Sequence, residues 1–257
     1  MIELLIDFKI IFFVMFFLLM LLLESYLPKR SWSSPRILRL GFHGLIAIMN
    51  TLIMRLPTIF LVIPALILIN ENQFGVLNSF EYSFFVKGLI SLILLDLAFY
   101  WWHRINHKVN FFWRFHSVHH LDTHLDVTTS LRFHIGELIM SSIFKVILIF
   151  TIGIPISIFI FYEIILSASN QFHHSNISLP EKLNKMLERF IVTPQYHTNH
   201  HTVKKESREA NYSSILTIWD KIFFTYKDAS NEDRENLGLD DRSKEFGIIN
   251  YLKHPLS

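Results

Sequence analysis

The sequence predicts an all-α fold, a multi-span integral membrane helical bundle of about four to five apolar spans with a histidine-rich cap. Three observations carry that reading. Hydrophobic residues make up 51% of the 257, with 25 Phe and only 8 Gly, and mean hydropathy is +0.34. A soluble domain this apolar would expose large sticky patches. Apolar blocks of spanning length alternate with short polar segments, and eight histidines fall into three short clusters.

Residues 10–23 are apolar without interruption, and with residues 4–9 they reach spanning length. Glu3 and Asp7 precede the run and no small-residue cleavage site follows it, which argues against a removable signal peptide. Residues 24–40 read as a polar loop with Pro28, Pro35 and four positive charges, Lys29, Arg30, Arg36 and Arg39. A second apolar stretch covers 41–69, interrupted by Asn50, Arg55, Pro57 and Pro64. Its first part is expected in the membrane interface, with Arg55 snorkelling, and its second part across the membrane. Residues 70–82 hold Glu71 and Glu81 but neither Lys nor Arg. A third span over 83–102 runs straight into the first histidine cluster.

The last apolar block, 138–170, is cut by Gly153 and Pro155 into two short halves. A single crossing would separate the histidine clusters across the membrane, whereas a hairpin hinged at Gly153–Pro155 keeps them on one face. One shared site requires the hairpin. Lys182–Arg189 reads as an interfacial amphipathic helix with Leu183, Met186, Leu187 and Phe190 on one side. The chain divides into N-terminal spans (1–89), a central region holding the hairpin and all three clusters (90–226), and a charged tail (227–257) expected to be solvated. The basic 24–40 segment and the 70–82 segment without Lys or Arg place 24–40, and by counting crossings every cluster, on the cytoplasmic face.

Net charge is +2, and no basic stripe with interleaved aromatics marks a nucleic-acid partner. There is no cysteine, which excludes disulfides, Fe–S clusters and thiolate ligands. Any metal must be held by nitrogen and oxygen.

The clusters are His103 and His107; His116, His119 and His120; and His197, His200 and His201. Within each, helical spacing puts the imidazoles on one face. Such stacking is costly unless a cation organises it, and imidazole suits Zn, Cu, Fe and Ni. An HExxH zinc-protease motif is absent. The histidines lie just beyond the span ends, not at midplane where a transport path would be expected. Their number exceeds the three or four ligands that zinc takes, and fits two metals better than one.

These residues resemble the membrane di-iron fatty acid hydroxylase/sterol desaturase superfamily, and the likeness extends past the histidines over about residues 90–226. Asp96-Leu-Ala-Phe-Tyr-Trp-Trp-His103-Arg104 is similar to the lead-in to its first box. Arg132-Phe-His134 followed by Glu137 resembles its R-x-H-P-x-E segment, with Ile135 where proline is usual. Phe172-His-His174-Ser-Asn176 resembles its lone HSN histidine. Thr193-Pro194 precedes the third box, and Asn211-Tyr212, Trp219-Asp220 and Phe223 follow it, with Ser213 where glycine is common.

The resemblance implies an O₂-dependent lipid hydroxylase or desaturase with two iron ions and a lipid substrate drawn from the bilayer. Its ligands would be His103, His107, His116, His119, His120, His174, His197, His200 and His201, with His134 as a tenth and His173 as a neighbour. His124 reads as a loop residue, and His43 and His254 have no company. Carboxylates are expected to hold the outer imidazole N–H groups, with Asp96 as first candidate and Glu137 and Asp220 after it. Asp96 has an alternative reading as a local polar contact near a span end. Tyr100, Trp101, Trp102 and Trp113 read either as a substrate wall or as an interfacial aromatic belt. No flavin, haem or nicotinamide signature occurs, so electrons are expected from an external reductase or small redox protein. A non-catalytic membrane metal-binding or transport protein is the alternative.

Overall fold

A computed structural model of the chain describes residues 2–32, 35–240 and 247–256, without the side chains of Ile2, Glu3 and Asn70. The described residues form helices and isolated bridges, with no strand. The all-α expectation holds. Four helical stretches are long and apolar enough to cross a membrane: Leu4–Tyr26, Arg36–Ile69, Phe84–Lys108 and Ile135–Gly153.

Helix α1 (Ile2–Tyr26) is apolar on all sides and largely exposed, as a lipid-facing helix must be. Its end is stapled by Glu24, whose carboxylate accepts from the Val127 and Asn176 N–H groups and pairs with Arg36. Helix α2 (Arg36–Pro57) begins earlier than the sequence suggested, so the loop reduces to a short connection, of which Ser33 and Ser34 lie outside the described residues. Arg39 is buried, paired with Asp122 and Asp126 beyond the second histidine cluster. It ties α2 to the cap instead of being a free loop charge.

Pro57 does not divide the 41–69 stretch. A π-helical turn (Thr58–Val62) absorbs the missing N–H and carries the helix into α3 (Ile63–Asn72). The stretch is one continuous helix from Arg36 to Ile69.

Helix α4 (Phe84–Lys108) starts at Ser83, whose hydroxyl accepts from the Val86 N–H, and carries the first histidine pair on its last two turns. Val109 is extended, and α5 (Asn110–His120) follows with the second cluster at its end. A buried loop leads to α6 (Ile135–Leu148). Ile135 occupies the first helical position, where proline is favoured but not required.

The chain reverses after a second π-helical turn (Ile149–Gly153) and returns as α7 (Ile156–His174). Gly153 has φ +79°, and a Cβ on Gly75 would lie 2.2 Å from the Gly153 nitrogen. Only two glycines allow this crossing of the hairpin turn over the 73–79 loop. The described part of the bundle interior packs Leu66, Leu95, Phe99, Phe159 and Tyr162 across α3, α4 and α7.

Short helices complete the cap: α8 (Glu181–Leu187), α9 (Pro194–His200), α10 (Lys205–Arg208), α11 (Ile218–Ile222), α12 (Asn231–Glu235) and α13 (Ile248–Lys253). Leu183 and Met186 are exposed along α8, and Phe190 is exposed in the turn that follows it. The 227–257 segment, expected to be a solvated tail, packs on the cap instead, although 241–246 and Ser257 lie outside the described residues. Leu237 and Tyr251 are buried. Gly238 N–H bonds the His201 carbonyl at 3.0 Å, and the Tyr251 hydroxyl donates to the Phe133 carbonyl at 2.7 Å. Its charged composition hid the few apolar anchors that dock it.

Candidate metal centre

The structure brings all nine histidines from the boxes and the HSN segment to one end of the bundle, in two groups. His103, His107, His116, His120 and His200 form the first, and His119, His174, His197 and His201 the second. Within each group the ligand nitrogens all lie within 4.8 Å of one another. His103 is half-buried and the others are buried.

Each H-x-x-H-H box serves both groups. An i+4 residue returns to within about 40° of residue i, whereas i+3 lags by about 60°. So His116 and His120 turn to the first group and His119 to the second, while His197 and His201 turn to the second and His200 to the first. The interleaving draws the groups together: the His120 and His201 rings stack with centroids 4.3 Å apart.

Backbone carbonyls hold the outer nitrogen of four of the nine, and Nδ1 of His107, His120, His197 and His201 has no hydrogen-bond partner. Nδ1 of His103 meets Tyr212 O at 2.9 Å, and that of His200 meets Ala210 O at 2.7 Å. Nδ1 of His119 meets Arg132 O at 3.2 Å, and that of His174 meets Asn170 O at 2.7 Å. A carbonyl only accepts, so each of these Nδ1 atoms carries the proton and each Nε2 presents a lone pair. Yet Nε2 of His119 and His174 lie 3.0 Å apart, and those of His103 and His200 lie 2.9 Å apart. Lone pairs facing at that distance repel unless a cation lies between them.

His107 has both nitrogens buried without a hydrogen bond, a costly arrangement that a metal ion relieves. Burial, reinforced by neighbouring imidazoles, holds His119, His120, His197 and His201 well below the ordinary 6.5. They are neutral at physiological pH, the form that ligates metal. The residues present fit a metal.

The other residues singled out by sequence take different places. His134 joins neither group; its Nδ1 accepts from the Gly136 N–H and caps α6. His173 is buried, its ring 4.1 Å from that of His197. His124 is buried in its loop against Trp32. Glu137 accepts from Nδ1 of His116 at 2.8 Å. Asp96 has no histidine partner; it accepts from the Trp219 indole at 2.7 Å and the Leu216 N–H at 3.2 Å, long-range contacts to the segment after the third box. Asp220 acts one layer out. It accepts from the Tyr212 and Ser213 N–H groups and from the Tyr196 and Thr225 hydroxyls, fixing the loop whose Tyr212 carbonyl meets His103.

Sequence reasoning missed the carbonyls, because every residue carries one. It also passed over His43 and His254. His43 is buried against the Thr128 hydroxyl at 2.7 Å, and His254 meets Ser117 at 2.8 Å. Of the aromatics, Trp113 packs on His107 and His120. Trp102 lines a cavity of about 160 Å³ beside the centre, with Phe99, Phe133, Leu138 and Leu166 as further apolar wall and His116, His119 and His174 at its head.

Apolar helices long enough to span a bilayer, with nine converging imidazoles at one end, define an integral membrane protein with an all-histidine centre fit to hold metal. The chain belongs to the fatty acid hydroxylase family, whose model matches residues 88–225. It is 31% identical over 140 residues to human alkylglycerol monooxygenase, covering 54% of this chain and 30% of that one. It is 24% identical to the Rhizobium tropici ornithine lipid hydroxylase OlsE, covering 66% and 50%. Human cholesterol 25-hydroxylase is 26% identical, covering 55% and 52%. The matched region thus spans 30% to 52% of the length of those relatives. No solved structure matches the chain at a significant level.

Proposed function

We propose that this protein is an O₂-dependent oxidoreductase that hydroxylates or desaturates a membrane lipid at a di-iron centre. The single observation that carries the reading is the pair of interleaved imidazole groups at the head of an apolar-walled cavity. His103, His107, His116, His120 and His200 would hold one iron, and His119, His174, His197 and His201 the other. His134 is left outside the ligand set because it caps α6. Iron bound there would supply the redox chemistry that turns O₂ on a C–H bond.

The chain's own residues do the rest. Tyr212, Ala210, Arg132 and Asn170 carbonyls keep the outer imidazole protons in place, and Glu137 does so for His116 with a negative charge. That charge raises ligand basicity and offsets part of the metal charge. Trp102, Phe99, Phe133 and Leu166 exclude water and seat an alkyl chain against the histidines. In hydroxylation one oxygen atom enters the C–H bond and the other leaves as water, consuming two electrons and two protons. An external reductase or small redox protein is proposed to deliver those electrons. The relatives' names, a monooxygenase and two lipid hydroxylases, favour hydroxylation.

The test is lipid oxidation by the iron-supplied protein in membranes, with reductant and O₂, read by mass spectrometry. His119→Ala and His200→Ala are expected to abolish it while the protein still inserts, since insertion depends on apolar spans. Full oxidation by either variant would promote the non-catalytic metal-binding reading. The cytoplasmic placement has its own test, because the chain has no native cysteine. Asn110→Cys and Lys205→Cys should label from the cytoplasmic side and Phe80→Cys from the other. Any other pattern overturns it.

A further inference from the structure

Three charged side chains meet among the apolar helices, away from the histidines. Glu163 of α7 pairs with Lys9 of α1 at 3.2 Å and with Lys145 of α6 at 2.9 Å. Lys9 and Lys145 both lie within helices apolar enough to span a membrane. Two cations against one anion leave a net positive charge in surroundings where ionisable groups are expensive and mark function. Each ammonium has three donors, and Glu163 takes one from each.

This triad is joined to the centre by polar stripes on two helices. On α6, Glu137, Ser141 and Lys145 recur at i, i+4 and i+8, and on α7 His174, Asn170, Ser167 and Glu163 recur at steps of four, three and four. Both spacings keep one face. At 1.5 Å per residue, Lys145 stands about 12 Å along α6 from Glu137. The cavity headed by the histidines shares Lys145, Leu166 and Asn170 with a second cavity of about 270 Å³, which Lys9, Glu163 and Gln171 also line. A site serving only a hydrocarbon tail has no use for such a floor.

We propose that Lys9, Lys145 and Glu163 bind the anionic oxygen head, carboxylate or phosphate, of an amphiphilic lipid whose chain runs past the shared Lys145, Leu166 and Asn170 wall to the histidines. The head supplies the missing negative charge, and the fixed separation selects which carbon is presented. What then happens at that carbon rests on the proposed oxidation; the binding does not.

The test uses iron-loaded full-length protein in nanodiscs and radiolabelled palmitate. Unlabelled palmitate and hexadecyl phosphate should compete, hexadecanol weakly, and hexadecylamine not at all. Lys9→Met combined with Lys145→Met leaves Glu163 alone, so palmitate affinity should fall at least about tenfold, as loss of a hydrogen bond to a charged group implies. The same variant should gain hexadecylamine binding and keep its iron. Lys145→Arg should retain palmitate. If the double variant binds palmitate like the parent, or loses it without gaining hexadecylamine, the triad is only a tie between helices and the proposal is overturned. His200→Ala should keep palmitate binding; a parent protein that binds palmitate by this rule but oxidises no lipid would sink the proposed oxidation alone.

Discussion

His103 and His200 face each other with Nε2 atoms 2.9 Å apart, and both have Nδ1 committed to a carbonyl, of Tyr212 and of Ala210. Neither Nε2 has a proton to give, so the pair is satisfied only by a cation. His119 and His174 repeat the arrangement at 3.0 Å, with Arg132 and Asn170 as the carbonyls. One such pair falls in each group.

Iron-supplied anaerobic purification should therefore give about two metals per chain, since one ion cannot use nine imidazoles. His200→Ala and His119→Ala should each lower that number, because each takes a nitrogen from a facing pair. A single metal in the parent protein, by elemental analysis, would contradict the two-group reading. Zinc in an aerobic preparation would not, because histidine sites also bind zinc.

The metal-free protein should lose stability on acidification. Burial takes His119, His197, His200 and His201 well below 6.5 in the folded chain, while the unfolded chain takes up protons at about 6.5. Between those values the unfolded state binds more protons, so stability rises with pH through that window and is flat above it. The Tm of chelator-treated protein is expected to be constant from about pH 8 to 7 and to fall below about 6.5. A Tm that climbs on acidification would show these imidazoles folding as cations.

Glu137→Gln and Asp96→Asn separate two carboxylates that sequence placed in one role. Glu137 touches His116, and removing its charge should cost about 10- to 100-fold in metal affinity or activity. Asp96 holds Trp219 and Leu216 and no histidine, so Asp96→Asn should leave metal content near that of the parent. Greater metal loss in Asp96→Asn than in Glu137→Gln would reverse the assignment.

Gly75→Ala should break the hairpin turn, because its Cβ would come 2.2 Å from backbone nitrogen at Gly153, which a flexible side chain cannot relieve. We expect a loss of at least about 1–3 kcal/mol, read as a lower Tm and reduced metal loading. Gly44→Ala, with no atom within 4 Å of the new Cβ, is the control and should be neutral. Equal behaviour of the two would show that the glycine contact is not required.

Much of the centre was legible in the sequence because imidazoles are rare, chemically specific and spaced by the helix. The apolar spans were legible for a similar reason, since hydrocarbon selects composition over long runs. The tail was not: Leu237 and Tyr251 are two apolar anchors in a charged segment, and composition averages them away. Pro57 misled because a π-helical turn repairs the helix locally. Asp96 misled because its place two turns before His103 puts it near that face without saying what it meets.

By itself, then, the sequence determined the all-helical membrane class, a set of ten candidate histidines of which His134 stands apart from the other nine, and the need for the chain to turn back at Gly153–Pro155. Only the tertiary structure decided how the boxes divide between two groups, and which atoms hold their outer nitrogens. The division depends on an angular offset of about 100° between i+3 and i+4, which becomes meaningful only once α4, α5, α7 and α9 surround it. The orienting groups are mainly carbonyls, and a carbonyl has no side-chain signature. Its role comes from where the chain carries it.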